Sequence, residues 1–313
     1  MRSTRNKTMT LDGDEAELYL SRCVEADSIT PNQNFVDTVI HGDTFEALKH
    51  IKTESVDLAI IDPPYNMNKT FGEDVFKKTD ALSYAKYTEQ WLVLIKPLLK
   101  PTGSIYVCCD WESGIAIAPI LQEHFVVRNR ITWQREKGRA SKRNWKNAME
   151  DIWFATVGDT FTFNADAVKQ RRKVIAPYKV DGVARDWSQT KDGKFRDTGA
   201  SNFWDDISVP YWSMPENTPH PTQKPEKLMA KLILASSNEG DVVLDPFAGS
   251  GSSCVTAAKL GRRYIGIEKD ATYCAMAQKR IDMAKKDSSI QGYVDGVFWE
   301  RNTLAEQRRN KKQ

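Results

Sequence analysis

The chain predicts an α/β domain, a mostly parallel sheet covered by helices on both faces. Short apolar runs alternate with helical patterns from about residue 35 to 133, and again after Pro225, the arrangement that builds parallel sheets. Two of the runs end in distinctive phrases, Asp62-Pro63-Pro64-Tyr65 and Asp245-Pro246-Phe247-Ala248-Gly249-Ser250-Gly251-Ser252. Both phrases fall at carboxyl ends of strands, where ligands collect in such sheets.

Residues 9–25 form a polar lead-in with helical character. A strand is predicted over 35–40, and Asp43 is placed to cap a helix opening at 44–46. Residues 56–61 are β-rich and too short for a helix, so they predict a buried strand. It stops at Pro63-Pro64, because proline lacks the amide donor a central strand needs. Helix is predicted over 84–99, a turn at Pro101-Thr102-Gly103, strand over 104–109, helix over 113–124 and strands over 126–133 and 152–156. Residues 158–215 lose periodicity and are polar, with scattered Trp187, Trp204 and Trp212. Beyond Pro225 come a helix to Ser237, a strand over 242–244, a glycine-rich turn, a helix over 252–260, a strand over 264–267 and a helix from 271. The basic end, 308–313, is expected to fray.

The 313 residues are 40% hydrophobic and 28% charged. No apolar run approaches the roughly 18 residues of a membrane span, and the basic N-terminus leads into Leu11-Asp12-Gly13-Asp14-Glu15 rather than an apolar signal region. A cytoplasmic location is therefore expected, with no membrane association. The five cysteines show no zinc-ligand spacing, so buried reduced thiols are expected, with no metal. Net charge is only +3, but its distribution is uneven. From 128 to 146 the chain carries Arg128, Arg130, Arg135, Lys137, Arg139, Lys142, Arg143 and Lys146 against a lone acid, Glu136. Mixed with glycine, serine and asparagine, that composition suits a loop touching phosphates and base edges. A solvated charged face is the bland alternative. A second basic stretch holds Lys169, Arg171, Arg172, Lys173 and Lys179.

Asp62 supplies a carboxylate acceptor, and the Pro63 carbonyl, stiffened by Pro64, can supply another. Two acceptors on one amino group favour a pyramidal nitrogen with its lone pair aimed at an electrophile. That helps an aromatic amine, whose lone pair is otherwise delocalised into its ring. Tyr65 offers a flat face on which a base can stack, worth roughly 1–3 kcal/mol. Such geometry requires the base to leave the duplex. Taken alone, the tetrapeptide also fits a strand-ending turn with a capping aspartate.

In the second phrase, Gly249 and Gly251 permit a tight turn and close backbone approach to a ligand. Glu268 closes the next strand about 20 residues later, where an acid can bind ribose hydroxyls. A dinucleotide site would share that pattern. The loop lacks the full G-x-G-x-x-G spacing, however, and Phe247 puts an aromatic ring at the strand end, suited to an adenine or sulfonium neighbour. Between the phrases, His220-Pro221-Thr222-Gln223-Lys224-Pro225 makes a rigid polar loop. There Thr222 or Gln223 can donate to a ligand carboxylate and Lys224 can pair with it; a plain helix-opening turn fits equally well.

With these residues in place, the chain resembles the permuted β class of amino-group DNA methyltransferases of restriction–modification systems. Asp62 to Tyr65 matches the catalytic motif of that class and Asp245 to Gly251 its cofactor loop. His220 to Pro225 matches a phrase just ahead of that loop, and Gly42-Asp43 a short cofactor-contacting element. The likeness spans roughly residues 35–285. It implies a Rossmann-like, mostly parallel seven-stranded sheet with one reversed strand, S-adenosylmethionine as cofactor and double-stranded DNA as substrate. It also implies catalytic roles for Asp62, Pro63, Pro64 and Tyr65. Cofactor contacts are expected from Asp43, Thr222, Lys224, Asp245, Phe247, Ala248, Gly249, Ser250, Gly251 and Glu268. DNA contacts are expected from Arg135, Lys137, Arg139, Lys142, Arg143 and Lys146.

An aspartate at the head of the catalytic motif is typical of adenine-N6 enzymes, so adenine is expected. Cytosine N4 is the alternative, and a protein or RNA amino group a more distant one. Double-stranded DNA is the expected partner; a cognate restriction endonuclease and an orphan enzyme both stay open, as do monomer and homodimer. The expected division is a lead-in (1–34), the catalytic half (35–133), a target-recognition region (134–215), the cofactor half (216–290) and a basic tail (291–313).

Overall fold

A computed structural model describes residues 5–30, 35–71, 74–135, 142–174, 179–181, 183–184, 186–190, 193–304 and 307. Its main sheet contains β1 (Val24–Glu25), β2 (Thr38–His41), β3 (Val56–Ile61), β4 (Leu99–Cys109), β5 (Val126–Gln134), β6 (Met149–Thr156), β7 (Phe203–Trp204), β8 (Val242–Asp245) and β9 (Arg263–Glu268). In space they run β1-β2-β9-β8-β3-β4-β6-β5-β7. Only β6 is antiparallel to its neighbours, β4 and β5; the other pairings are parallel. β6 returns from β5 as a hairpin, and a hairpin enforces the reversal. The expected seven strands with one reversed are therefore present as β2 to β6 with β8 and β9, while β1 and β7 add two-residue edges.

Both faces of the sheet are buried, which explains the unbroken apolar run in β3. Ala59 and Ile61 enter one core with Ile105, Val107 and the helices α3 (Ala81–Ile95) and α4 (Trp111–His124). Leu58 and Ile60 enter the other with Tyr106 and the helices α5 (Glu226–Ser236), α6 (Ser252–Lys259) and α7 (Ala271–Ala284). A five-residue helix, α2 (Thr44–Leu48), follows β2 and is capped by Asp43, whose carboxylate accepts from Phe45 N at 2.9 Å.

Several expectations need correction. Within the expected lead-in, residues 5–30 do more than lead in, because α1 (Gly13–Leu20) packs on α7, with Lys279 Nζ 2.7 Å from Glu15, and β1 extends the sheet beside β2. The strand expected over 35–40 starts at Thr38, since Asp37 adopts a positive φ of 61°. The helix expected over 84–99 runs Ala81–Ile95, and β4 begins already at Leu99.

The aperiodic stretch 158–215 hides a second sheet. Its order is Ser188–Thr190, Gly193–Thr198, Gln170–Lys173, Val297–Trp299 and Tyr293–Val294. Residues from 291 to 299 are therefore not tail. Phe298 and Trp299 are almost fully buried, Phe298 N donates to Lys169 O at 2.9 Å, and the Arg301 guanidinium donates to Gln134 O and Ile207 O. The reason is mutual need: an apolar quartet, Val294, Val297, Phe298 and Trp299, wants burial, and the strand at 170–173 would otherwise present an open edge. Residues 305–306 and 308–313 lie outside the described residues. Among the described residues no helix is long and apolar enough to cross a membrane.

Candidate active site

Four adjacent strands, β2, β9, β8 and β3, bring the candidate residues to one edge of the sheet. From β8 the chain proceeds through α6 to β9 on one side, and from β3 through α3 to β4 on the other. The boundary between β8 and β3 is thus a topological switch point, where such sheets open a crevice. Asp62 and Asp245 stand at its two lips, because Val243 pairs with Leu58 and Leu244 with Ala59. A cavity of about 880 Å³ lies there, and residues of both phrases line it, together with Asp43, Thr222, Lys224 and Glu268.

On the β8 side the backbone does the shaping. Asp245 accepts from Phe247 N at 3.0 Å and from the Ser253 hydroxyl, which folds the chain back over the strand end. Burial pushes its carboxyl up to about 7. Gly249 has φ +53°, and a Cβ there would lie 2.9 Å from His220 Nε2. Gly251, with φ +76°, abuts Ala277, whose Cβ would be 2.7 Å from an added Cβ. No other residue type fits either place without displacing a neighbour. The Glu268 carboxylate accepts from Gly249 N and Asp270 N, both at 2.8 Å. Burial nevertheless raises its pKa above the ordinary value. Beneath the loop, the buried Arg280 donates to Ser250 O at 2.7 Å and to Glu226 at 3.0 Å. Thr44 Oγ1 ties α2 to Pro246 O at 2.6 Å. His220 packs edge-on against Tyr273 with centroids 4.4 Å apart, and burial holds its imidazole down to about 3.

On the β3 side, side-chain charges do the shaping. The Tyr84 hydroxyl donates to Pro64 O at 2.9 Å and Asn66 N to Ser113 Oγ at 2.9 Å, fixing the Pro-Pro turn. Tyr65 donates its hydroxyl to Asp62 Oδ1 at 2.9 Å. Burial raises the Tyr65 pKa well above the usual phenol value, so the group stays a donor. Lys224 Nζ sits 2.6 Å from Asp62 Oδ2, 3.1 Å from the Tyr65 oxygen and 3.5 Å from Glu150 Oε2. Burial alone would lower the Lys224 pKa, but Asp62 and Glu150 outweigh it and hold the ammonium above its ordinary range. Arg135 closes the group with an ion pair to Glu150.

Two of the expected roles shift. Lys224, expected on a ligand carboxylate, instead lays its ammonium against Asp62. Gln223 is occupied by the loop itself, accepting from Thr218 N and donating to Glu216 O. Of the basic residues expected on DNA, Lys142, Arg143 and Lys146 are exposed, at the same end of the sheet as the cavity. Arg135 turns inward to Glu150, and Lys137 and Arg139 lie outside the described residues. In the second basic stretch, Arg171 pairs with Asp197 through two 2.7 Å contacts.

Sequence reasoning misses Glu150, although a signal is available. In β6 the buried positions include Glu150, Ile152 and Phe154, so an acid shares a buried face with large apolar side chains. Buried charge is expensive unless paired, and such pairs are poor evidence of stabilisation. A charge quartet beside a cavity, two of its members buried and two partly so, is better explained by function.

A family model described as DNA methylase matches residues 56–279. Among curated proteins, the chain is 34% identical over 258 residues to the DNA adenine methyltransferase YhdJ of Escherichia coli (strain K12), covering 82% of this chain and 86% of that one. It is 35% identical over 250 residues to the Type II methyltransferase M.HpaI of Haemophilus parainfluenzae, covering 78% and 74% respectively. Among solved structures, the M1.HpyAVI–SAM complex matches with TM-score 0.54 and 26% identity, over 78% of this chain and 98% of that one. The cytosine-N4-specific PvuII DNA methyltransferase matches with TM-score 0.58 at 16% identity, over 80% of this chain and 92% of that one, a likeness of fold alone.

Proposed function

Because the chain belongs to the DNA methylase family, we propose that it transfers a methyl group from S-adenosylmethionine to adenine N6 in duplex DNA. The observation that carries this is one cavity lined by both Asp62–Tyr65 and the glycine loop. The resemblance of most of the chain to a DNA adenine methyltransferase supports adenine as the target. Likeness to a Type II methyltransferase supports a restriction–modification setting, with a cognate restriction endonuclease as partner.

The residues present fit the cofactor. Gly249 lines the cavity with bare backbone, Gly251 lets the loop turn against Ala277 behind it, Phe247 lines the cavity with a ring, and Glu268 sets a carboxylate at the strand end for hydroxyls. When bound there, S-adenosylmethionine supplies a methyl group on a positively charged sulfur. In this reading Asp62 accepts a hydrogen bond from the flipped adenine amino group and the Pro63 carbonyl accepts the second. Aimed by these two acceptors, the nitrogen lone pair would meet that methyl group, and the sulfur would leave as a neutral thioether keeping the electron pair of the broken C–S bond. The nitrogen afterwards gives up one proton, with Asp62 as first acceptor and solvent as its destination. Tyr65 holds the base by its ring. The exposed Lys142, Arg143 and Lys146 meet the DNA backbone, with sequence read by the 134–215 region and the C-terminal strands that complete its sheet.

The test is methyl transfer from labelled S-adenosylmethionine into duplex DNA, followed by nucleoside analysis. N6-methyladenine is expected. Recovery of N4-methylcytosine alone would overturn the base assignment and leave the site standing, whereas no transfer to any duplex would overturn the function.

A further inference from the structure

The catalytic carboxylate does not stand alone. Asp62, Lys224, Glu150 and Arg135 form an alternating chain of two acids and two bases, from the cavity to the root of the recognition hairpin. Lys224 and Glu150 are nearly fully buried, with side chains 6% and 5% exposed. We propose that Glu150 is a positioning residue for methyl transfer: it balances Lys224, so that Lys224 can orient Asp62 without leaving an uncompensated positive charge beside the reacting nitrogen.

The inference rests on the functional reading above and on the direction in which charge moves. As the N–C bond forms, positive charge passes from sulfur to the amino nitrogen. A transition state of that kind is favoured by fixed negative charge nearby and opposed by fixed positive charge, most strongly where water is excluded. Lys224 Nζ, 2.6 Å from Asp62 Oδ2, is well placed to fix the carboxylate, but its own charge opposes the reaction. Glu150 removes that opposition from behind, at 3.5 Å. It also lies 3.4 Å from the Tyr65 hydroxyl, so its charge reaches both residues that meet the base. Arg135, in turn, brings the quartet to neutrality and joins it to residues 135–148, the segment that carries the exposed basic side chains.

Glu150→Gln keeps shape and hydrogen bonding while removing the charge. In single-turnover methylation of duplex DNA at saturating enzyme and cofactor, its rate constant should fall on the order of tenfold to a hundredfold. Binding of DNA and of S-adenosylmethionine, measured by titration, should stay close to that of the unaltered protein. The double variant Glu150→Gln/Arg135→Gln restores neutrality and should recover part of the lost rate constant; a purely structural role predicts a further loss instead. A Glu150→Gln rate constant equal to the unaltered one, a fall in single-turnover amplitude alone, or a double variant slower than the single one would each overturn the proposal. Absence of transfer by the unaltered protein would overturn the functional reading and the proposal with it.

Discussion

The two lips of the crevice are built by different means. The loop from Asp245 to Ser252 is held largely by its own neighbourhood: Phe247 N to Asp245, Ser253 to Asp245, and Gly249 N to Glu268 only 19 residues on. The opposite lip is assembled from distant segments, with Lys224 reaching Asp62 across 162 residues and Glu150 reaching Tyr65 across 85. One lip is a backbone shape that glycines permit, and the other is a balance of charges that several segments must bring together. In the proposed reading, the backbone shape seats the ligand and the charge balance acts on the reaction.

That contrast can be broken at its sharpest point with Asp62→Ala. Turnover should drop by about a thousandfold or more, as expected when a group that meets the reacting atoms is lost. Cofactor affinity, by calorimetry, should hold. Comparable losses in both would mean that the two lips are not separable.

Gly249→Val probes the other lip. A branched side chain at φ +53°, 2.9 Å from His220, should weaken cofactor binding by at least about tenfold. Undiminished affinity would show that the loop's shape is not what seats the ligand.

The smallest effect expected is in stability. The folded Asp245 carboxyl, at about 7, lies above its ordinary 3.8, so the fold favours the neutral form. Its contribution to stability is complete below the ordinary value and is lost progressively as pH rises from there through about 7. A neutral amide in its place would escape that loss. Asp245→Asn should therefore gain melting temperature relative to the unaltered protein as pH rises from about 4 to about 7, by a few degrees. A constant difference across that range would refute the raised pKa.

The same division decides what can be read from the sequence. Strand ends, the glycine turn, the Asp43 cap and the Pro-Pro stop are local events that residue types dictate over a few positions, and each is found in the fold. The sheet within 158–215 is hidden from such reading because its strands are two to six residues long and lean on Val297–Trp299, so no local pattern contains the signal. Lys224 is legible as a cavity residue, but not its partner, since pairing across 162 residues depends on how the chain closes. Glu150 is legible only as an anomaly, an acid on the buried face of a strand.

The placement of Val297–Trp299 between Gln170–Lys173 and Tyr293–Val294 has a consequence for biogenesis. While the chain is still emerging from the ribosome, the strand at 170–173 has no parallel neighbour, and none arrives until the residues near 300 are out. Because domains generally fold as units, completion of this sheet comes after synthesis of both halves of the methyltransferase core. A fusion or truncation within residues 293–299 would therefore strike this second sheet first, at a point remote in sequence from the strand at 170–173 that it would leave open.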